Sequence, residues 1–500
     1  MGVLLAAPAT LLAQGAATPV SPDTLRANLF AIADDSMGGR NTGSPGNVRT
    51  ADWVAAMFVR YGLTAAGENG TYFQTVPLWR AALDTTTGLE VDGVRLTSGR
   101  DVLPAGVLMS WTALTRAALA LRREARFRAA AGFAVAGLDS APPGLAEQAM
   151  TGRVSADTLV LSLARGSLLV TTSGASHLLG VPLATATPGR TGPTVNGSVA
   201  FKRTPLHDPA RNVIAILPGS DPALRESYVS LSAHNDHVGL ARPAVDHDST
   251  RAFNRVVRPM GADSPLRPAT PGEAARIATL RDSLRAAHPV KRDSVYNGAD
   301  DDGSGTVALV ELARVLASGR HPRRSILFIS HAAEERGLLG SRWFTDHPTV
   351  PLDSIMAELD MDMIGRGDAT DLPHGGPGYL ELVGSRRLST EFGDLIEAVA
   401  GREPQPFHFN YEYDAPGHPL QYYCRADHYS YARLGIPSVS LSTGEHLDYH
   451  QVTDEPQYIN YTQLARVTSL VRDVAVAVAN LDHRPVVDGP RQDPRAPCRQ

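Results

Sequence analysis

Apolar and polar positions along the chain repeat in two periods, and the switches between them outline its elements. Residues 22–65 carry helical spacing, with a start near Ser21 or Asp23. Within them, Thr50-Ala-Asp-Trp-Val-Ala-Ala-Met-Phe-Val-Arg-Tyr61 has one strongly apolar face. Tyr72–Leu78 alternates in the period of a strand. Further on, Asn212–Leu217, Tyr228–Ala233, Ser325–Ser330, Ile355–Met363 and a run from Ser438 read as strands. Helical patterns follow at Glu311–Ala317 and at Tyr461–Leu481. The unbroken apolar run Ser325–Ser330 suits a central parallel strand, buried on both faces. Strands alternating with helices predict an α/β fold, a mostly parallel or mixed central sheet with helices on both faces.

From about 89 to 204 the texture changes. Short β-like pieces (Leu89–Leu96, Thr158–Leu163, Ser167–Thr171) surround one Ala/Arg-rich helix, Ala113–Ala131, and Phe133–Gly137 follows as a buried strand. His, Asp, Glu and Cys do not cluster there at ligand spacing. The reading is a β-rich accessory domain inserted into a domain made of 18–88 and 205–482, with a polar tail at 483–500. A second long segment, 240–294, holds one predicted helix, Pro271–Ala287, and is either a functional rim or an ordinary surface excursion.

Composition narrows the classes. With 500 residues and 43% apolar content the chain can bury a large core in two domains. A net charge of −5 gives no electrostatic case for nucleic acid or an anionic membrane. No stretch reaches the roughly 18 to 20 unbroken apolar residues that span a bilayer. Two cysteines, Cys424 and Cys498, are too few to build the fold through disulfides. Residues 1–17 have the apolar centre and small-residue end of a secretory signal without its basic start, so export (periplasmic or extracellular) is expected.

The chemistry sits just after the strands, where open α/β sheets bind ligands. Asp300, Asp301 and Asp302 stand between glycines ahead of an apolar helix. Asp302 or Ser304 can cap that helix, but capping needs one oxygen. The remaining carboxylates face each other across a tight turn, which is costly unless a cation sits among them. Five candidate ligands fall on five strand ends: His234, Asp300, Glu335, Asp362 and His450. A mixed His/carboxylate set suits zinc with positions left open for water and substrate. Asp300 is the natural bridge if two ions share a carboxylate. Glu334, beside a ligand, is placed to serve as general base. Asp360 lies on the same side of its strand as Asp362 and rivals it. The Gly-rich stretch Ser36–Gly46 matches neither phosphate-binding pattern and reads as an ordered connecting loop.

These pieces carry a family resemblance. Ala233-His234-Asn-Asp236-His, Asn297-Gly-Ala-Asp300-Asp-Asp-Gly-Ser-Gly305, Ala333-Glu334-Glu335-Arg-Gly-Leu-Leu-Gly-Ser341, Asp362-Met-Ile-Gly-Arg366 and Tyr449-His450 resemble, in order, the motifs of the co-catalytic two-zinc aminopeptidases. Gly39–Gly46, Asp427-His428 and Gly435-Ile-Pro437 are similar to its flanking signatures. The family also includes glutamate carboxypeptidases and glutaminyl cyclases. The likeness covers roughly 25–88 and 205–480, and 89–204 stand where many members carry a protease-associated domain. It implies two Zn2+ ions, one held by His234, Asp300 and Asp362 and the other by Asp300, Glu335 and His450. It further implies Glu334 as general base, Asp236 as the carboxylate orienting the first histidine, and peptides as substrates. Asp362 is preferred over Asp360 because it begins the matching string. The 66 positions from His234 to Asp300 (300 − 234) exceed the family's usual spacing.

Overall fold

The computed structural model describes residues 18–83 and 201–500, apart from 266, 287–288, 373 and 497, together with residue 86 and short strand segments between 88 and 199. Its centre is a nine-stranded sheet of β1 (Thr64–Ala65), β2 (Phe73–Val76), β3 (Ala210–Leu217), β4 (Tyr228–His234), β5 (Ser325–His331), β6 (Ile355–Met361), β7 (Tyr379–Val383), β8 (His408–Asn410) and β9 (Ser438–Ser442). The spatial order is β1-β3-β5-β4-β6-β9-β7-β8, with β2 also on β3. β5, β4, β6 and β9 run parallel, while β3 joins β5, and β7 joins β9, antiparallel. The sheet is therefore mixed, with a parallel centre.

Alternation along the strands explains the two layers. In β5, Ile326 and Phe328 enter one apolar cluster while Leu327 and Ile329 enter the other. The larger cluster is closed by α1 (Pro22–Ile32) and α2 (Pro45–Arg60). On the opposite side of the sheet lie Phe344, Tyr431 and Ile436. The remaining helices are α3 (His247–Val257), α4 (Pro271–Arg285), α5 (Gly305–Ser318), α6 (Leu339–Asp346), α7 (Thr390–Ala400), α8 (His428–Ala432) and α9 (Tyr461–Ala479). α5 and α9 complete the larger cluster, and α6 and α8 carry Phe344 and Tyr431. The predicted helix starts are explicit: Ser21 accepts from the N–H of Thr24, with Pro22 at the first helical position. Phe58 of α2 and Phe328 of β5 meet with ring centroids 5.9 Å apart, and truncating either would cost about 3–5 kcal/mol.

Several expectations are corrected. The segment 240–294 is an antiparallel stem, Gly239–Asp246 on Arg292–Tyr296, carrying α3 and α4. α3 escaped sequence reading because its buried residues include His247, Asp248, Arg251 and Asn254, which form no apolar stripe. Phe127–Arg128, expected as the end of a helix, is a strand paired with Ser198–Val199. The rest of that helix and the 1–17 segment lie outside the described residues. Within the β-like piece Leu89–Leu96, Leu89–Val91 pairs antiparallel with Val94–Leu96. Described strands between 88 and 199 pair only among themselves, in a five-stranded and a four-stranded sheet. The tail at 483–500 is anchored, since Cys498 forms a disulfide with Cys424 across 74 positions.

Candidate metal centre

Six side chains from the strand-end loops converge at the carboxyl edge of the parallel strands. Two groups of donor atoms form, each lying within 4.8 Å of one another: His234, Asp301 and Asp362, and His237, Asp301, Glu335 and His450. Asp301 belongs to both. Its Oδ1 is 3.2 Å from Nε2 of His234, and its Oδ2 is 2.9 Å from Nε2 of His450 and 3.7 Å from Nδ1 of His237. Glu335 Oε1 closes the second group at 2.7 Å from His237 Nδ1 and 3.1 Å from His450 Nε2. Asp362 Oδ1 stands 3.7 Å from His234 Nε2 in the first.

Three of these atoms, His234 Nε2, His237 Nδ1 and Glu335 Oε1, are buried without a hydrogen-bond partner. Such atoms are costly in a folded core. Nδ1 of His234 is satisfied by the carbonyl of Asp236 at 3.1 Å, which leaves Nε2 to present its lone pair to the group. The donors fit zinc: nitrogen and carboxylate oxygen, three in one group and four in the other, sharing a carboxylate.

The surrounding loops hold these donors through bonds that span the sequence. Asp454 accepts the backbone N–H groups of Asp300 and Asp301, at 3.0 to 3.2 Å. Arg40, 1% exposed, donates to the carbonyls of Asn297 and Gly298 at 2.5 and 2.8 Å. Gly298 has φ +56, and a Cβ there would lie 2.5 Å from the ring of His237. The glycine thus makes the space that His237 occupies. Ala333, Met363 and His450 have φ near +60 without being glycine. Such backbone costs about 1–3 kcal/mol each and clusters at sites where geometry is imposed by the surroundings.

The expected residues fall as follows. His234, Glu335, Asp362 and His450 lie in the two groups. Asp300 does not. Its Oδ1 accepts the N–H of Gly365 at 2.6 Å and its Oδ2 meets His446 Nε2 at 3.1 Å, so its oxygens are spent on the loops behind. Asp301 takes the shared position instead. Asp302 caps α5 through the N–H of Gly305 at 2.9 Å and also accepts the N–H of His234 at 3.0 Å. Asp360 stays within β6, where Ser232 donates to it at 2.8 Å. The carboxylate of Asp236 is 3.8 Å from His234 Nδ1, too far to orient it. The orienting group is the same residue's carbonyl.

His237 and Asp301 were missed. His237 carried a signal, standing three residues beyond His234 on the same strand-end loop. The stretch 36–46 is more than a connection: Thr42 donates to Asp236 at 2.6 Å and Asn41 accepts from Arg336 at 2.7 Å.

Glu334 hangs beside the first group, with Oε2 3.9 Å from His234 Nε2. Burial pushes its carboxyl well above the usual range, His234 opposes this, and Glu335, Asp362 and Asp427 add to it. Burial also works against the charge of Asp301, but His237, His234 and His450 hold that carboxyl well below the usual range. Glu335, buried and facing His450 and His237, is held down at about 2. The Glu334 carboxyl is thus pushed up where those of Asp301 and Glu335 are held down.

Fold and centre together define an α/β protein with two adjoining His/carboxylate donor groups suited to zinc. Residues 278–475, which include Asp301, Glu334, Glu335, Asp362 and His450, match peptidase family M28. Leucine aminopeptidase 1 of Coccidioides posadasii is 34% identical over 160 residues, covering 30% of this chain and 37% of that protein. Aminopeptidase NAALADL1 of Mus musculus is 40% identical over 92 residues, 17% of this chain and 12% of its own length. The matches to these two relatives therefore span well under two thirds of their lengths. Among solved structures, an aminopeptidase from Aneurinibacillus sp. is similar at TM-score 0.49 and 16% identity, over 95% of this chain and 98% of that one.

Proposed function

We propose that the protein is an exported zinc-dependent aminopeptidase that binds two Zn2+ ions and removes N-terminal residues from peptides. The observation that carries the reading is the shared Asp301, whose two oxygens face two complete donor groups with Glu334 alongside. His234, Asp301 and Asp362 would hold one zinc, and Asp301, Glu335, His450 and His237 the other. Zinc in such a pair supplies Lewis acidity toward a carbonyl and lowers the pKa of water toward about 7. Glu334 takes the proton of the attacking water, and its raised affinity for that proton lets it deliver it to the leaving amine. Asp236 keeps Glu334 in place through its backbone N–H.

Export is supported by the apolar pattern of residues 1–17 and by the Cys424–Cys498 disulfide, a bond that persists in oxidising compartments. Glutaminyl cyclisation, found in the same family with one zinc, does not call for two complete groups. A non-catalytic receptor of this fold would not need Glu334 in reach of the centre. No helix among the described residues is long and apolar enough to cross a membrane.

The test uses full-length protein stripped by chelator and reloaded with zinc, offered peptides with free or blocked termini. Release of N-terminal residues that depends on a free amino terminus, stops with chelator and returns with zinc is expected. Failure to release them at two zinc ions per chain would overturn the reading, and release only from a free carboxyl terminus would reassign it to a carboxypeptidase.

A further inference from the structure

The cleft that opens on the metal centre has acidic lining beyond the metal donors. Asp301, Glu334, Asp362 and His450 line it, together with Glu381, Glu445, Tyr422 and Arg425. Glu381 and Glu445 are 1% and 6% exposed, and neither is used by the chemistry above. Glu381 sits on β7, and its Oε1 accepts the hydroxyl of Tyr379 at 2.7 Å. Its Oε2 is buried in the cleft wall with no hydrogen-bond partner. Glu445 follows β9 and accepts the hydroxyl of Tyr422. Between them, Gly444 has φ +86, and a Cβ there would stand 2.7 Å from Glu381 Oε1. The glycine lets the Glu381 carboxylate approach the backbone that carries Glu445.

Arg425 partly offsets the charge of Glu445 but spends its hydrogen bonds elsewhere. It is committed to Asp263 at 2.5 Å and to the hydroxyl of Tyr449 at 3.0 Å. Asp263 belongs to the 240–294 segment, so that rim engages the arginine that lines the cleft among the described residues. Glu381 thus keeps one oxygen without a partner, next to Glu445 and a cavity where Ser440 and Ser442 supply further polar lining. A buried carboxylate with a free oxygen is expensive unless a cation completes it. A pocket for an aliphatic side chain would carry none.

We infer that Glu381 and Glu445 form a cation subsite that takes an ammonium or guanidinium group of the substrate. Two groups of an N-terminal residue have that chemistry, a lysine or arginine side chain and the α-ammonium itself. The inference rests on the aminopeptidase reading for the identity of the substrate, while the subsite stands on its own residues.

The test compares wild type with Glu445→Gln and Glu381→Gln on lysyl, arginyl, norleucyl and Nε-acetyllysyl amidomethylcoumarins. In parallel, calorimetry measures L-lysine hydroxamate and L-norleucine hydroxamate on the zinc-loaded protein, a readout that needs no turnover. Wild type should favour lysine over norleucine by about tenfold or more, because a site built for a polar group discriminates strongly against an analogue lacking it. A loss confined to lysine and arginine probes in the variants identifies the side chain as the bound cation. An equal loss, about tenfold on every unblocked probe, identifies the α-ammonium. Zinc content and melting temperature report folding, and if one variant is unfolded the other carries the test. No selectivity in wild type and no loss in either folded variant overturns the subsite. Absence of turnover with lysine-selective hydroxamate binding would overturn only the aminopeptidase reading.

Discussion

Oδ1 of Asp236 accepts the backbone N–H of Glu334 at 3.0 Å, which ties the loop after β4 to the loop after β5. Its other oxygen accepts the hydroxyl of Thr42 at 2.6 Å. An asparagine can keep both bonds, offering its oxygen to the N–H and its amide to a hydroxyl that can also accept. Alanine leaves the N–H of Glu334 unpaired at a cost of about 1–3 kcal/mol. Asp236→Asn should therefore retain most turnover, and Asp236→Ala should lose about tenfold or more in kcat with KM little changed. Steady-state kinetics on zinc-saturated variants decides it, and equal losses in both would show that the charge, not the bond, matters.

Glu334 and Glu335 are neighbours with opposite surroundings. Only Glu335 faces the two imidazoles of the second donor group. Glu334→Gln should keep its zinc and lose on the order of 10²-fold or more in turnover. Glu335→Gln should lose zinc affinity by about 10 to 100-fold, with partial recovery in excess metal. Equilibrium dialysis with kinetics distinguishes them. A Glu334 variant short of zinc beside a Glu335 variant with both ions would reverse the roles.

The three consecutive aspartates make a sharper comparison. Asp301→Asn should release both ions, because its oxygens face both groups. Asp300→Asn leaves those groups intact, although it weakens the contacts to Gly365 and His446. It should hold close to two zinc ions per chain while lowering the melting temperature. His237→Gln should lower retention of one ion only. Elemental analysis after graded chelation reads all three, and loss of both ions from Asp300→Asn would restore Asp300 as the bridge.

His428 is buried among Tyr423 and Gly384, and neither ring nitrogen has a hydrogen-bond partner. Burial, helped by Arg387, pushes its pKa down to about 3. An unfolded histidine titrates near 6.5, so between those values the unfolded chain binds a proton that the native chain does not. Stability from this group is full above pH 6.5 and is lost as pH falls toward 3, by about 2 kcal/mol between pH 7.5 and 5. Asp360, which burial and Asp362 push up to about 7, works in the opposite sense. The comparison of wild type with His428→Phe isolates the histidine. In urea unfolding at pH 7.5 and 5, the variant should lose less stability on acidification. Parallel losses in the two proteins would place the histidine's proton elsewhere.

The chain alone determined the strands and the ends at which chemistry gathers. Ile326 to Ile329 are apolar at every position, which specifies a strand covered on both faces. His234, Glu335, Asp362 and His450 each follow such a strand, and parallel strands deliver such ends to one edge. Asp300 and Asp301 could not be told apart this way, since adjacent residues of one turn share its local pattern. The choice is made by Asp454, Gly365 and His446, which come from 65 to 154 positions away and occupy the backbone and side chain around Asp300. His237 likewise became a donor only because Gly298, from another loop, leaves room for its ring. α3 was invisible for a related reason, as the polar groups it buries are satisfied by partners such as Glu455, Asp448 and the carbonyl of Leu447. Hydrophobic periodicity reports which face of an element leaves water, whereas the aim of a buried polar group depends on partners that only the folded chain brings near.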